Sequence, residues 1–180
     1  MKLLTVIPTK LDSKRLKKKN ILELSDLPLF MHSVLFARAS LHENRIIVSS
    51  ESLDVQALCD KFGVEFLLRD ERLCGDTEVV DVYKSVAQSV DENFDLFVGL
   101  QPDNPDRSFT LDEYINYMLT NSYEDLVTVN KEYKRSGSVR LMYFDRLVRH
   151  EVSGRLGIMR DDATDIHFEQ DLVNVKHKMK

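Results

Sequence analysis

Residues 45–68 read RIIVSSESLDVQALCDKFGVEFLL, and they indicate the architecture of the chain more clearly than any other stretch. The runs RIIVSS and VEFLL are short, apolar and without polar alternation, as strands buried on both faces are. Between them, SLDVQALCDKFG has the signals of a helix, with Ser52 as the N-cap residue and Gly63 just past the last turn. Strand, helix and strand in this order predict a βαβ unit with parallel strands.

The same alternation runs along most of the chain. Further strands are predicted at KLLTVIP (2–8), DLFVGLQ (95–101), DLVTVN (125–130) and SVRLMYF (138–144). Further helices are predicted at 28–40, 76–90, 110–120 and 169–179. Neither a repeat nor a low-complexity linker interrupts the pattern. The sequence therefore predicts one domain over residues 1–180, with an α/β, Rossmann-like, three-layer α/β/α fold around a mostly parallel central sheet.

The composition narrows the class of protein. Hydrophobic residues make up 43% and charged residues 31% of the chain, which excludes disordered and disulfide-dense proteins. Cys59 and Cys74 have no partners at metal-binding spacing, and we expect free thiols in a reducing compartment. No apolar stretch approaches the roughly 18 residues of a membrane span, so a cytoplasmic protein is expected. The net charge of -5 argues against nucleic acid as the main partner.

The loop after the first strand is strongly basic in spite of that acidic balance. Within IPTKLDSKRLKKKN (7–20), the charged residues are Lys10, Lys14, Arg15, Lys17, Lys18 and Lys19 against Asp12. Its role could be that of a solvated charge run, a nucleic-acid patch, a targeting segment or a polyphosphate pocket. The loop lacks the spacing of a P-loop, yet lysines, Ser13 and backbone N–H groups can together hold phosphate. Because the chain as a whole is acidic, the local charge favours a small anion.

Three loops follow strand ends and should meet at one crevice, since ligands of parallel sheets bind outside the carboxyl ends of the strands. They are the segments 8–20, 69–76 and 101–107. In the second loop, Asp76 could equally be a helix cap. In the third, LQPDNPDR, two prolines stiffen a loop that offers oxygen ligands, and a simple turn is the alternative.

The segment TDIHFEQDL near the C-terminus adds two further candidates. Asp165 and His167 are two positions apart, so in an extended chain their side chains point to the same side. The alternative is that the segment only caps the last helix.

Taken together, these segments resemble the acylneuraminate cytidylyltransferases, the CMP-sialic acid synthetases, and their relatives the CMP-KDO synthetases. IPTKLDSKRLKKKN is similar in length and spacing to the family motif I-P-A-R-G-G-S-K-G-I-P-G-K-N, and IIVSSES resembles I-I-V-S-T-D-S. LRDERLCGD resembles L-R-P-x-x-L-A-x-D, LQPDNPDR resembles L-Q-P-T-S-P-L-R, and DIHFEQDL resembles D-I-D-T-x-x-D-L. The resemblance extends over essentially the whole chain.

The resemblance implies a nucleotidyltransferase fold of the GT-A-like type and a defined reaction. A sugar hydroxyl would attack the α-phosphate of CTP and release pyrophosphate, giving a CMP-activated acidic sugar. The implied catalytic residues are Lys10 and Lys19. The implied nucleotide-binding residues are Lys10, Ser13, Lys14, Lys19, Asn20, Arg69 and Asp76. The implied substrate-binding residues are Gln101 and Arg107.

The resemblance also implies a metal site. Its ligands would be Asp103, Asp165 and His167, holding Mg²⁺ or, as the alternative, Mn²⁺. His167 stands where the family has a second Asp, and imidazole suits manganese better than magnesium. Lys10 stands for a family Arg, and Leu11-Asp12 for Gly-Gly.

The partners implied are CTP and an acidic sugar. The connection KEYKRSG is much shorter than the family's excursion at this point, which carries much of its dimer contact. A homodimer weaker than the family norm, or a monomer, is therefore expected. Two alternatives stay open: a member that binds a nucleotide or a partner without turnover, and a transferase of the same fold with another nucleotide or acceptor.

Overall fold

A seven-stranded sheet is the centre of the computed structural model, which describes residues 1–179. In chain order, the strands are β1 (Lys2–Pro8), β2 (Glu23–Leu24), β3 (Leu27–Pro28), β4 (Glu43–Ser50), β5 (Glu65–Leu68), β6 (Leu96–Leu100), β7 (Asp125–Val129), β8 (Arg135–Tyr143) and β9 (Leu156–Arg160). β2 and β3 form a separate hairpin. The order in the main sheet is β5-β4-β1-β6-β8-β7-β9.

The strands on one side of the sheet are parallel, as predicted. β1 pairs in parallel with β4 and β6, and β4 with β5. β8 lies between β6 and β7 and is antiparallel to both, while β7 and β9 are parallel. The prediction of a mostly parallel sheet is thus confirmed. The strand predicted at 138–144 is β8, and its antiparallel direction was not predicted.

Helices cover both faces of the sheet. They are α1 (Leu29–Arg38), α2 (Leu53–Phe62), α3 (Val79–Ser89), α4 (Leu111–Thr120), α5 (Phe144–Arg149) and α6 (Glu169–Lys178). Alternate residues of β1 point to opposite faces: Leu3 and Ile7 join the core with α1, α2 and α4, whereas Leu4 and Val6 join the core with α3 and α5. This alternation produces the predicted three layers.

The predicted N-cap residue and the predicted terminal glycine of α2 are both confirmed. The Ser52 Oγ accepts a hydrogen bond of 3.2 Å from the Asp54 N–H, and Gly63 ends the helix with a φ of 61°. The left-handed conformation of Gly63 carries no steric cost without a Cβ.

The C-terminal helix packs on the hairpin rather than on the main sheet. Leu24 and Leu29 form a small buried cluster with Ile166 and Val175. The His32 ring nitrogen Nε2 is 2.8 Å from the Leu24 carbonyl and ties the hairpin to α1. This cluster brings the segment before α6 to the loop after β1. Within residues 1–179, the structure contains no helix with the length and apolarity to span a bilayer.

Candidate active site

The basic loop leaves the carboxyl end of β1 and is held there by its neighbours. Asn20 Nδ2 donates to the Lys10 carbonyl at 2.9 Å, so the loop is closed on itself. The Leu11 N–H donates to Glu51 Oε1 at 3.1 Å, which fixes the loop to the end of β4. These contacts place the lysines of the loop over the edge of the sheet.

The lysines of this loop contact carboxylates and carbonyls of the neighbouring loops. Lys19 is 8% exposed and donates from Nζ to Asp103 Oδ2 at 2.5 Å and to the Ile166 carbonyl at 2.7 Å. Lys10 donates to the Gly75 carbonyl at 3.2 Å, and Lys14 pairs with Asp76 at 3.2 Å. Lys10 and Lys14 thus join the first loop to the second, and Lys19 joins it to the third loop and to the segment before α6.

These loops enclose a cavity of about 390 Å³. Its walls are Lys10, Asp12, Ser13, Lys14, Arg15, Leu16, Lys19, Asp76, Gln101, Asp103, Ser136, Asp165 and His167. The expected convergence of the segments 8–20, 69–76 and 101–107 is therefore confirmed. Ser136 was not anticipated, because its neighbourhood depends on the reversed position of β8 and no local pattern encodes that.

The segment that carries Asp165 is bound to the third loop by a series of hydrogen bonds. The Ile166 N–H donates to the Asp103 carbonyl at 3.1 Å, and Asn104 Nδ2 donates to the Thr164 carbonyl at 3.2 Å. Asp106 accepts from the Thr164 N–H at 2.7 Å and from Lys178 Nζ at 3.0 Å. The segment is thereby more than a helix cap, since it forms one wall of the cavity.

The two candidate metal-binding carboxylates face the same cavity. Burial, followed by the charge of Asp103, raises the pKa of the Asp165 carboxyl. A cation between the two carboxylates would relieve this repulsion, and Mg²⁺ commonly uses one or two carboxylates with phosphate and water as further ligands. The chemistry of Asp103 and Asp165 thus fits a magnesium ion held together with a nucleotide.

The third predicted ligand is arranged differently. His167 Nε2 lies 2.9 Å from Asp165 Oδ2, and its Nδ1 is buried without a hydrogen-bond partner. Among the described residues, no group of three or more His, Cys, Asp or Glu side chains is arranged to hold a metal ion by itself. The three predicted ligands therefore share a cavity without forming a preassembled metal centre.

Three predicted site residues do not line the cavity, namely Asn20, Arg69 and Arg107. Asn20 and Arg69 support the backbone around it. Asn20 is 3% exposed and supports the Lys10 carbonyl as described. Arg69 is 8% exposed; its guanidinium donates to the Ser49 carbonyl at 2.6 Å and lies 3.4 Å from Glu51, and burial lowers its pKa. Both residues hold the backbone around the cavity.

Arg107 is predicted to bind substrate, and in the structure it does not line the cavity. Its guanidinium donates to the Gln101 carbonyl at 2.7 Å and to the Ser138 carbonyl at 3.1 Å, and it lies 4.9 Å from the centre of the Phe36 ring. Burial lowers the pKa of Arg107 to about 10. The side chain therefore fixes the backbone of Gln101 and does not reach into the cavity.

A second cavity continues from the first along the face of β8. It has a volume of about 240 Å³ and shares Gln101 and Ser136 with the first cavity. Tyr83 and Arg140 also line it. Gly99 makes room for the Tyr83 ring, since a Cβ at this position would lie 2.7 Å from Cζ of that ring. The two cavities form one groove with Gln101 at their junction.

Comparison with known proteins identifies relatives of this chain. An N-acylneuraminate cytidylyltransferase of Escherichia coli O18:K1:H7 is 30% identical over 141 residues, which are 77% of this chain and 34% of that protein. A CMP-N,N'-diacetyllegionaminic acid synthase of Legionella pneumophila is 35% identical over 114 residues, 59% of this chain and 48% of that protein. The chain thus spans between a third and a half of the length of these curated relatives.

A solved structure of CMP:2-keto-3-deoxy-manno-octonic acid synthetase complexed with CTP superposes with a TM-score of 0.77. The match covers 99% of this chain and 98% of that one at 15% identity, which is a likeness of fold. The sequence model described as "Cytidylyltransferase" matches residues 4–142, most of the chain. On this match the chain belongs to the cytidylyltransferase family.

Proposed function

We propose that this chain is a CTP-dependent cytidylyltransferase that transfers CMP to a hydroxyl of an acidic sugar and releases pyrophosphate. The observation that carries the proposal is the composition of the cavity wall. Lys10, Lys14 and Lys19 line one cavity together with Asp103 and Asp165, next to Gln101. Phosphoryl transfer needs positioning and neutralisation of charge more than covalent participation of the protein, and this wall supplies both.

The nucleotide's phosphates would be held by the basic loop. The charges of the cavity wall are balanced, with Lys10, Lys14, Arg15 and Lys19 facing Asp12, Asp76, Asp103 and Asp165. A triphosphate would compete with these carboxylates for the lysines. Lys14, which is 80% exposed, would exchange Asp76 for phosphate easily, whereas Lys19 would have to leave a largely buried partner. Ser13 and loop N–H groups would complete the phosphate contacts.

Magnesium, with manganese as the alternative, would be held by Asp103 and Asp165. The ion would neutralise phosphate charge when it is bound. Release of Asp103 from Lys19 would free the carboxylate for this role and the ammonium group for phosphate, so the 2.5 Å ion pair holds both groups close to where they are needed. His167 would keep Asp165 oriented through the contact at 2.9 Å.

The acceptor would lie in the continuation of the groove along β8. Gln101 is at the junction of the two cavities, and its backbone is fixed by hydrogen bonds from Ser33 Oγ at 3.0 Å and from Arg107. Arg140 lines this second cavity and is partly exposed, with 19% of its side chain accessible. A guanidinium there suits the carboxylate of an acidic sugar, which it can bind with two parallel hydrogen bonds.

One observation favours a second candidate, a member that binds nucleotide without turnover. Asp12 lies in the cavity wall, 3.8 Å from Lys10, and places a negative charge where phosphates would bind. Such a charge weakens phosphate binding unless the carboxylate turns towards solvent, and half of its side chain, 51%, is already exposed.

The decisive experiment has two parts. First, the midpoint of thermal unfolding is measured with CTP, UTP, GTP and ATP. A nucleotide at a hundredfold excess over its Kd stabilises by about 2.7 kcal/mol, and we expect CTP to stabilise most. Second, pyrophosphate release from CTP is measured with magnesium or manganese across acidic and neutral sugars. Stabilisation by CTP without pyrophosphate release would favour the binding member, and a preference for another nucleotide would contradict the proposal.

A further inference from the structure

Tyr83 is a buried tyrosine whose hydroxyl has no partner in the fold. It belongs to α3, is 2% exposed, and packs its ring against Phe97 with 4.9 Å between the ring centres. Within residues 1–179, no donor or acceptor forms a hydrogen bond with this hydroxyl. Buried tyrosines usually bring the hydroxyl to a partner, so a hydroxyl without one indicates a partner outside the fold.

Tyr83 lines the second cavity of the groove, next to Arg140. Its Oη lies over Gly99 of β6, where a Cβ would be 2.9 Å from that oxygen. Gly99 is the residue of β6 that lies opposite Arg140 of β8. Because opposite residues of an antiparallel pair share a face of the sheet, the Arg140 side chain leaves β8 beside this oxygen. Tyr83 and Arg140 therefore lie side by side in the wall of the cavity.

Positive charge surrounds the Tyr83 hydroxyl. Burial raises the pKa of Tyr83, so the phenol stays neutral and can donate a hydrogen bond at neutral pH. The charges that lower its pKa are those of Arg140, Arg107 and Arg135. Asp103 is the carboxylate that opposes them. Three guanidinium groups against one carboxylate give a positive potential at this oxygen, which favours an anionic partner for its hydrogen bond.

We propose that Tyr83 determines the specificity for the acceptor by donating a hydrogen bond to a carboxylate oxygen of the acidic sugar, beside the Arg140 guanidinium. The inference rests on the proposed function, since it takes the second cavity as the acceptor site. Arg140 does not satisfy a carboxylate alone, because its Nη2 already donates to Asp125 at 2.7 Å. A carboxylate accepts about four hydrogen bonds, and a phenol next to the guanidinium supplies a further donor.

The rest of the cavity wall suits a bound carboxylate. Its charged residues are Arg135, Arg140 and Glu78, so two positive charges face one negative charge. Much of the remaining wall is apolar, formed by Val79, Val80, Val127 and Val139. An apolar wall excludes water and strengthens a hydrogen bond to a charged group. A neutral sugar brings no charge to the guanidinium or the phenol, so the cavity should reject it in favour of the acid.

A purely structural role for Tyr83 makes different predictions. The ring fills the space over Gly99, and a phenylalanine ring fills it equally well. The hydroxyl would then contact only water in the cavity. Because the hydroxyl has no hydrogen bond to lose within the fold, Tyr83→Phe should not lower the midpoint of thermal unfolding. The substitution therefore separates an effect on sugar binding from an effect on folding.

Titration calorimetry with CTP and a chelator present tests the inference, because the sugar then binds without turnover. The probes are sialic acid and its methyl ester, which differ by the carboxylate charge. If another acidic sugar gives faster pyrophosphate release, that sugar and its ester replace them. Tyr83→Phe should raise the Kd of the acid about tenfold and that of the ester about threefold or less, since hydrogen bonds to charged groups are about twice as strong as neutral ones. The Kd for CTP should equal that of the wild type.

Tyr114→Phe is the matched control. Tyr114 is also a buried tyrosine whose hydroxyl has no hydrogen-bond partner among the described residues, but it belongs to the core on the other face of the sheet. This variant should bind both sugars as the wild type does. The inference would be overturned by an unchanged Kd of the acid in Tyr83→Phe, by an equal rise for acid and ester, or by a wild type that binds no acidic sugar. Binding of the acid that depends on Tyr83, without pyrophosphate release when metal is added, would support the inference and contradict only the proposed turnover.

Discussion

Lys19 and Asp103, which belong to the loops after β1 and β6, form an ion pair of 2.5 Å at the centre of the candidate active site. Their side chains are 10% and 18% exposed, so the pair is shielded from water on most sides. In the proposed function, phosphate would bind Lys19 and the metal ion would bind Asp103, so the pair would separate.

Lys19→Ala should weaken CTP binding about tenfold or more, since a charge-assisted hydrogen bond contributes about 1.5–3 kcal/mol. Lys17→Ala is the matched control, because Lys17 is exposed in the same loop and does not line the cavity. Isothermal titration with CTP measures both variants. Unchanged affinity in Lys19→Ala, with an intact fold by circular dichroism, would identify the loop as a solvated charge run.

Asp103→Asn should nearly abolish metal-dependent pyrophosphate release while leaving metal-free CTP binding intact. The variant loses a metal ligand, and it also frees Lys19 for phosphate, so metal-free affinity should not fall. Both quantities are measured on the same preparation, turnover by pyrophosphate release and binding by titration in the presence of a chelator. Full turnover in this variant would exclude Asp103 as a metal ligand.

His167→Asp should raise turnover with magnesium relative to manganese. Magnesium prefers oxygen ligands, and the substitution supplies a carboxylate where the wild type has an imidazole. The quantity to compare is the ratio of the rates with the two metals, which is independent of the amount of active protein. A ratio equal to that of the wild type would show that position 167 does not contact the metal.

Arg140→Lys should raise KM for an acidic acceptor with little effect on CTP affinity, because it keeps the charge and loses the planar fork. A lysine also leaves a cation beside Asp125, which pairs with Arg140 at 2.7 Å, so the fold is maintained. Arg149→Lys, on an arginine that is 66% exposed, is the control. An effect on kcat alone, or equal effects with neutral and acidic acceptors, would contradict a role in acceptor binding.

Asp106→Asn should destabilise the protein at neutral pH by about 1–3 kcal/mol. Burial raises the pKa of Asp106, but hydrogen bonds from Thr164 and Lys178 outweigh it, and the net pKa is lowered. A lowered pKa means that the carboxylate stabilises the fold above its unfolded pKa and loses this contribution as the pH falls through the folded pKa. Urea unfolding should therefore show a wild-type advantage at pH 7 that shrinks below about pH 4. A difference independent of pH would assign the effect to shape alone.

The sequence predicted the parallel half of the sheet better than the other half. The strands β1, β4, β5 and β6 are short apolar runs with a helix between successive strands. This pattern is typical of parallel strands joined by right-handed crossovers. β8 has the same apolar pattern but pairs antiparallel, which periodicity cannot distinguish. β9 and α5 were missed because they are short, and because β9 exposes Leu156 and Ile158 at the edge.

The candidate site was predictable where it depends on strand ends and not where it depends on side-chain direction. Lys19 and Gln101 follow strands whose carboxyl ends meet, and both line the cavity. Arg107 has equally suggestive surroundings in the sequence, yet its guanidinium turns to two backbone carbonyls. The direction of the Arg107 side chain depends on its packing against Phe36, and the local sequence does not predict that packing.

The hydrogen bonds between the third loop and the segment 161–167 also have a consequence for synthesis on the ribosome. The strands β1 to β9 can pair once residue 160 has emerged, but the wall formed by Asp165 and His167 can be added only afterwards. Domains begin to fold from the N-terminal side while the chain is still growing. A nascent chain would thus present the lysines of the first loop before it presents the second carboxylate, and could attract a polyphosphate before it can retain a metal ion.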